Sequence, residues 1–201
     1  LVPEFTKTTA IRQDGKLLGV PWNWGSLPLM YDPAVVPTAP ASWMDIFKDE
    51  YKGKVAMVDD PLTYLLIWGP VVTGRADGTL IGKDELAKMI DMQIKLKKEH
   101  ARAFFPSYGD MADAFARSEV VVSNLGWEAV AVWAKVKGKE IRYTIPKEGA
   151  GAFMDCLVIP KDAPNAAAEP KAIPKAIAST VSVKSSRDPV RAARVRMPGT
   201  I

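Results

Sequence analysis

Lys52-Gly53-Lys54-Val55-Ala56-Met57-Val58-Asp59-Asp60-Pro61 is the stretch on which the fold turns. A Lys-Gly-Lys turn feeds four consecutive apolar residues, the pattern of a strand buried on both faces. Asp59 and Asp60 then precede Pro61, whose fixed φ and missing N–H suit the first position of a helix, here predicted to run to about Val72. Upstream, Ser42-Trp43-Met44-Asp45 is a helix start with Ser42 as N-cap, predicting a short helix to about Tyr51. Downstream, Lys83 to His100 carries the longest helical pattern, with Leu86, Met89, Ile90, Ile94 and Leu96 on or near one face. Arg102 to Phe105 reads as a strand, Asp110 to Arg117 as a helix and Val120-Val121-Val122 as another buried strand. Gly126 to Lys137 is expected as a helix and Glu140 to Ile145 as a strand. Strands that alternate with helices and read as continuously apolar predict an α/β sandwich with a mainly parallel sheet.

The composition is that of a globular chain: 201 residues, 48% of them hydrophobic, suffice for one ordinary domain or two small ones. No apolar run reaches the roughly 20 residues needed to span a bilayer; Val120 to Val136 is interrupted by Asn124, Glu128 and Lys135. The net charge of +4 is a property of one end. Residues 166–201 hold seven basic side chains against two acidic ones, which leaves the first 165 residues with 20 basic and 21 acidic. Without a basic stripe interleaved with aromatics, nucleic acid is not an expected partner. Leu1-Val2-Pro3-Glu4-Phe5 lacks the form of a signal peptide and predicts a chain that starts within a longer protein. Cys156, alone and followed by Leu157-Val158-Ile159, reads as a core thiol. His100 follows Lys97-Lys98-Glu99 at a helix end, where a cation is favourable. With no metal-ligand spacing, no phosphate loop and no visible base for Cys156, neither an enzyme nor a cofactor is expected.

Ile145-Pro146-Lys147-Glu148-Gly149-Ala150-Gly151-Ala152-Phe153-Met154-Asp155 joins a turn of Pro and small residues to an aromatic and a carboxylate two positions apart. In an extended segment those two side chains share a face. An acid beside an aromatic surface suits a desolvated cation. With Gly19-Val20-Pro21-Trp22-Asn23-Trp24-Gly25-Ser26 and Tyr51-Lys52-Gly53-Lys54-Val55-Ala56-Met57-Val58-Asp59-Asp60, this segment resembles the spermidine/putrescine-binding receptors of bacterial ABC importers. The likeness covers about residues 1–168. It implies a two-lobed periplasmic-binding fold of type 2, one lobe nearly complete and the other partial. On that reading residues 1–39 are part of the first lobe and the outgoing crossing, residues 40–139 the second α/β lobe, and residues 140–168 the return. From Glu169 onward the family pattern stops; Pro170, Pro174, Pro189 and Pro198 interrupt a stretch rich in Ala, Ser and Arg, and residues 169–201 are expected to be poorly ordered.

The resemblance also nominates a ligand set in an interlobe cleft. Asp155 is expected to clamp an ammonium group and Phe153 to line its cage, or else Asp155 caps a backbone amide while Phe153 packs in the core. Asp60 and Thr63 fall at two family positions that are often both acidic; here only Asp60 is, and an equal reading is that Asp59 or Asp60 simply caps the helix beginning at Pro61. Trp127 and its neighbour Asn124 either face the solute or pack between helix and sheet. Trp24, in Trp24-Gly25-Ser26, matches a hinge motif, and Glu148 is expected to make a hinge hydrogen bond. The implied partners are a small cation, foremost a polyamine, and ABC permease subunits in the membrane, with an extracytoplasmic or periplasmic location and no membrane insertion. Two other readings stay open: a ligand-sensing domain of an intracellular regulator, and a receptor for a different small solute.

Overall fold

Asp14 and Gly15 adopt φ of 50° and 74°, the left-handed pair that a two-residue hairpin turn requires. They join β1 (Arg12–Gln13) to β2 (Lys16–Leu17) as an antiparallel hairpin in a computed structural model that describes residue 7 and residues 11–75, 77–78, 80–160, 163 and 181–182. Strand β3 (Val20–Leu27) follows, then the three-residue β4 (Leu29–Tyr31), fully enclosed. Strand β5 (Val55–Val58) has all four residues buried, as its unbroken apolar run requires. Asp60 caps and Pro61 opens helix α1 (Pro61–Thr73), which Gly74 ends in the left-handed conformation at φ 69°. Helix α2 (Lys83–Lys95) runs on through a π-turn at Leu96–His100 into β6 (Ala101–Phe105). Helix α3 (Tyr108–Ala116), β7 (Val122–Ser123), helix α4 (Glu128–Val136), β8 (Arg142–Thr144) and β9 (Gly151–Leu157) complete the alternation.

Five of these strands form one sheet in the order β6-β5-β7-β4-β8. β5 pairs in parallel with both β6 and β7, while β4 pairs antiparallel with both β7 and β8. Four strands therefore share a direction and β4 alone opposes them, which makes the sheet mainly parallel. Its core brings together Trp43, Trp68, Ile67, Phe115, Met111 and Leu125, all essentially without solvent contact. A three-stranded sheet holds β3, β9 and β10 (Val181–Ser182).

The chain divides into two compact units, one from Ser26 to Gly151 that contains the five-stranded sheet, and a smaller one on either side of it in sequence, ending at Gly25 and resuming at Ala152. Both passages between units run inside strands, β3 at Gly25–Ser26 and β9 at Gly151–Ala152. Apart from Val181–Ser182, which pairs with Cys156 and Asp155, the tail expected to be poorly ordered lies outside the described residues.

Three expectations change. The helix expected from Ser42 to Tyr51 is two 3₁₀ turns, Trp43–Phe47 and Asp49–Tyr51, because Lys48 between them is extended (φ −64°, ψ 141°). Its cap is as expected: Ser42 accepts from Met44 N while Asp45 accepts from Ala41 N and Ser42 N. On α2, Met89 and the following Leu96 are buried but Ile90 and Ile94 are exposed, so the buried stripe is narrower than the pattern implied. His100 is 1% exposed, not a solvated cation at a helix end; burial pushes its pKa down from 6.5.

Candidate functional site

In an open α/β sheet, ligands bind outside the carboxyl ends of the strands. Three neighbouring parallel strands of the larger unit end together: β5 runs into Asp59 and Asp60, β6 into the Ser107–Tyr108 helix start, and β7 into Asn124 to Trp127. Backbone bonds tie the three exits, from Asp59 N to Phe105 O at 3.0 Å and from Asn124 N to Ala56 O at 3.0 Å.

Asp60 is half-buried and accepts from Thr63 N at 3.1 Å and from the Thr63 hydroxyl. Thr63, 5% exposed, thus spends both donors on holding the carboxylate at the helix N-terminus, where the dipole favours an anion. One turn further, the Tyr64 hydroxyl donates to Val58 O. Burial pushes Tyr64 up to about 12, and burial with the Asp60 charge pushes Tyr108 up as well. Both phenols are neutral at ordinary pH beside a carboxylate. The Tyr108 ring meets Trp127 edge-on with centroids 5.9 Å apart, and Trp127 meets Trp133 in the same way at 5.4 Å. Gly126 lets this segment pass close to β4: a Cβ there would lie 2.3 Å from Met30 Cγ and 2.7 Å from Pro28 O.

Of the residues nominated from sequence, Asp60, Thr63, Asn124 and Trp127 therefore come together. Asp155, Phe153 and Trp24 belong to the smaller unit, where Asn23 Nδ2 donates to Asp155 Oδ2 at 3.3 Å. That bond joins the Trp22-Asn23-Trp24 strand to the aromatic-x-Asp strand. Asp155 and Phe153 are both half-buried, and Trp22 is 73% exposed. Glu148 is a fastener of the larger unit: it accepts from Ser42 Oγ at 2.5 Å and from Trp43 N at 3.2 Å, while Trp43 Nε1 donates to Gly149 O at 2.8 Å. Ser26 donates its N–H to Glu128 Oε1 at 2.9 Å and its hydroxyl to the same oxygen.

Tyr64, Tyr108, Asn23 and Gln93, which bonds Asn124, were not nominated from sequence. Tyr64 had a readable signal, four residues past Asp60 on one helical face. Tyr108 had one too, as the first helical residue after a strand. No group of three or more His, Cys, Asp or Glu is placed to hold a metal among the described residues. No helix among them is long and apolar enough to cross a membrane.

A carboxylate at a helix start, two neutral phenols and an edge-stacked aromatic pair are thus gathered where parallel strands of an α/β unit end. The sequence profile described as bacterial extracellular solute-binding protein matches residues 3–183, and the chain belongs to that family. It is 30% identical over 179 residues to the putrescine-binding periplasmic protein SpuD of Pseudomonas aeruginosa, covering 81% of this chain and 47% of that one. With the spermidine/putrescine-binding periplasmic protein of Escherichia coli it shares 30% over 149 residues, covering 73% and 40%. The chain thus spans less than half the length of these relatives. The fold is that of the substrate-binding protein PotD of a Streptococcus pneumoniae spermidine/putrescine ABC transporter, with a TM-score of 0.64 at 24% identity over 79% of this chain and 47% of that one. The Tp0655 lipoprotein of Treponema pallidum gives 0.60 at 22%, over 76% and 47%. These are type 2 periplasmic-binding folds.

Proposed function

We propose that this chain is part of an extracytoplasmic, periplasmic receptor that binds a polyamine of the putrescine or spermidine kind and delivers it to the permease of an ABC importer. The observation that carries the reading is the Asp60 carboxylate set beside Tyr64, Tyr108 and the Tyr108–Trp127 pair. A carboxylate holds an ammonium group by charge-assisted hydrogen bonds, and aromatic faces line the methylenes between amines while attracting the cation. Asp60 supplies one such anchor, fixed by Thr63; Trp127 and Asn124 belong to its wall. Asp155 supplies a second, with Phe153 as its aromatic companion and Trp24 on the adjoining strand. The names of the relatives, which bind putrescine or spermidine, support the solute class. The reading is of a binder and not a catalyst, since family members are receptors and the site's groups are suited to holding a cation.

The test is an NMR titration of the chain with putrescine and with spermidine, following the Trp127 indole N–H. A saturable shift is expected, weakened in Asp60→Asn and in Asp155→Asn by about 10- to 150-fold, the equivalent of roughly 1.5–3 kcal/mol for a hydrogen bond to a charged group. Phe153→Leu, which keeps apolar volume, is expected to cost less. No saturable shift with either polyamine, or parental affinity retained in both Asn variants, overturns the proposal; a shift with another cation alone points to a different solute.

A further inference from the structure

Asn124 stands at the carboxyl end of β7 with no solvent contact. Its amide nitrogen donates to Gln93 Oε1 on α2 at 3.4 Å, but its Oδ1 has no partner among the described residues. Gln93 presents the complement: its Oε1 is used, and its Nε2 is buried without a partner among the described residues. Two primary amides face to face exchange two N–H···O bonds when aligned. Here one is made, long, and the donor and acceptor left over are those the second would consume. Buried polar groups are nearly always satisfied, so a matched pair of orphans marks a joint with a second arrangement close at hand.

The position of this joint gives it a use. Asn124 heads the segment that carries Trp127, with Gly126 held against Met30 and Pro28, and Trp127 stacks edge-on with Tyr108. Resting on the polyamine-receptor reading above, we infer that Gln93 is a positioning residue for the solute wall: through Asn124 it sets the placement of residues 124–127 and so of the Trp127 ring. In this role Gln93 acts by fixing the amide three residues before Trp127. Helix α2 is thereby tied to the site by a polar contact, in addition to the buried Met89 that packs into the hydrophobic core.

Two substitutions at Gln93 test this, on the full 201-residue chain. Gln93→Met keeps length and helix propensity at a half-buried helical position but removes both amide atoms. Gln93→Glu keeps an acceptor for Asn124 Nδ2 and serves as the conservative rescue. In the unliganded chain, Gln93→Met is expected to shift the Trp127 indole N–H and the Asn124 amide resonances, whereas Gln93→Glu leaves the Asn124 amide hydrogen-bonded and the indole near its parental position. Putrescine affinity in Gln93→Met is expected to fall about fivefold, the loss that corresponds to one ordinary hydrogen bond. An indole resonance unmoved in Gln93→Met, or moved equally in both variants, overturns the inference. If the resonances behave as expected while the parent binds neither putrescine nor spermidine, the positioning role stands and the polyamine reading falls.

Discussion

Asp60 does two jobs with one carboxylate, and substitution can separate them. As N-cap of α1 it accepts from Thr63; as an anion it faces two neutral phenols. Asn caps a helix about as well as Asp, whereas Ala loses about 0.5–2 kcal/mol. Asp60→Asn is therefore expected to keep its urea midpoint while losing polyamine affinity, and Asp60→Ala to lose both; an Asp60→Asn protein as unstable as Asp60→Ala would show that charge, not capping, holds the helix. The cap was legible as one of two equal readings, because an acid just before Pro61 suits a helix start. Asp155 was less so: it is half-buried and paired with the amide of Asn23, from a segment far away in sequence. No local pattern announces such a pairing.

At the scale of the element, the end of α2 is the informative case. The π-turn at Leu96–His100 lodges the His100 ring against Phe47, with centroids 5.6 Å apart, and leaves its Nδ1 without a partner among the described residues. Burial is the leading cause that lowers its pKa below 6.5, with Lys52 and Lys95 adding to this and Glu99 and Asp49 opposing it. A depressed folded pKa means that the unfolded chain takes up the proton more readily. The stabilisation is complete above the unfolded value of 6.5 and is lost as pH falls from there toward the folded value. Urea unfolding at stepped pH is expected to show stability declining below about pH 6.5, and a His100→Gln variant to show a flatter profile across that window. Sequence placed this residue on a solvated helix end because helical periodicity continued through it; the π-turn changes the phase by which residues face the core, and periodicity does not record that. The two 3₁₀ turns after Ser42 escaped notice for a related reason. The capping box of the first is the same as that of an α-helix, and only the extended Lys48 and the docking of Glu148 and Gly149 on Ser42 and Trp43 show why the chain stays short there.

For the whole molecule, the alternation of strand and helix was readable from Val55 to Thr144, and with it the mainly parallel sheet. Strand β4 was not: Leu29-Met30-Tyr31 is too short to carry a pattern, and its partners Val122 and Arg142 to Thr144 are remote. Yet it lies inside the sheet, between β7 and β8, and Met30 has no solvent contact. Met30→Ala is expected to cost about 2–5 kcal/mol. Contacts of such sequence separation close late, so the loss is expected chiefly as faster unfolding with refolding little changed in stopped-flow measurements. A refolding rate that absorbs most of the loss would place β4 in the nucleus instead. The opposed strand also sets a problem of timing during synthesis. Leu29-Met30-Tyr31 leaves the ribosome before either neighbour exists, and at roughly 5–20 residues per second it waits several seconds for both. Over that interval three side chains destined for the interior stand in water, an exposure that ends only when β7 and β8 arrive to enclose them.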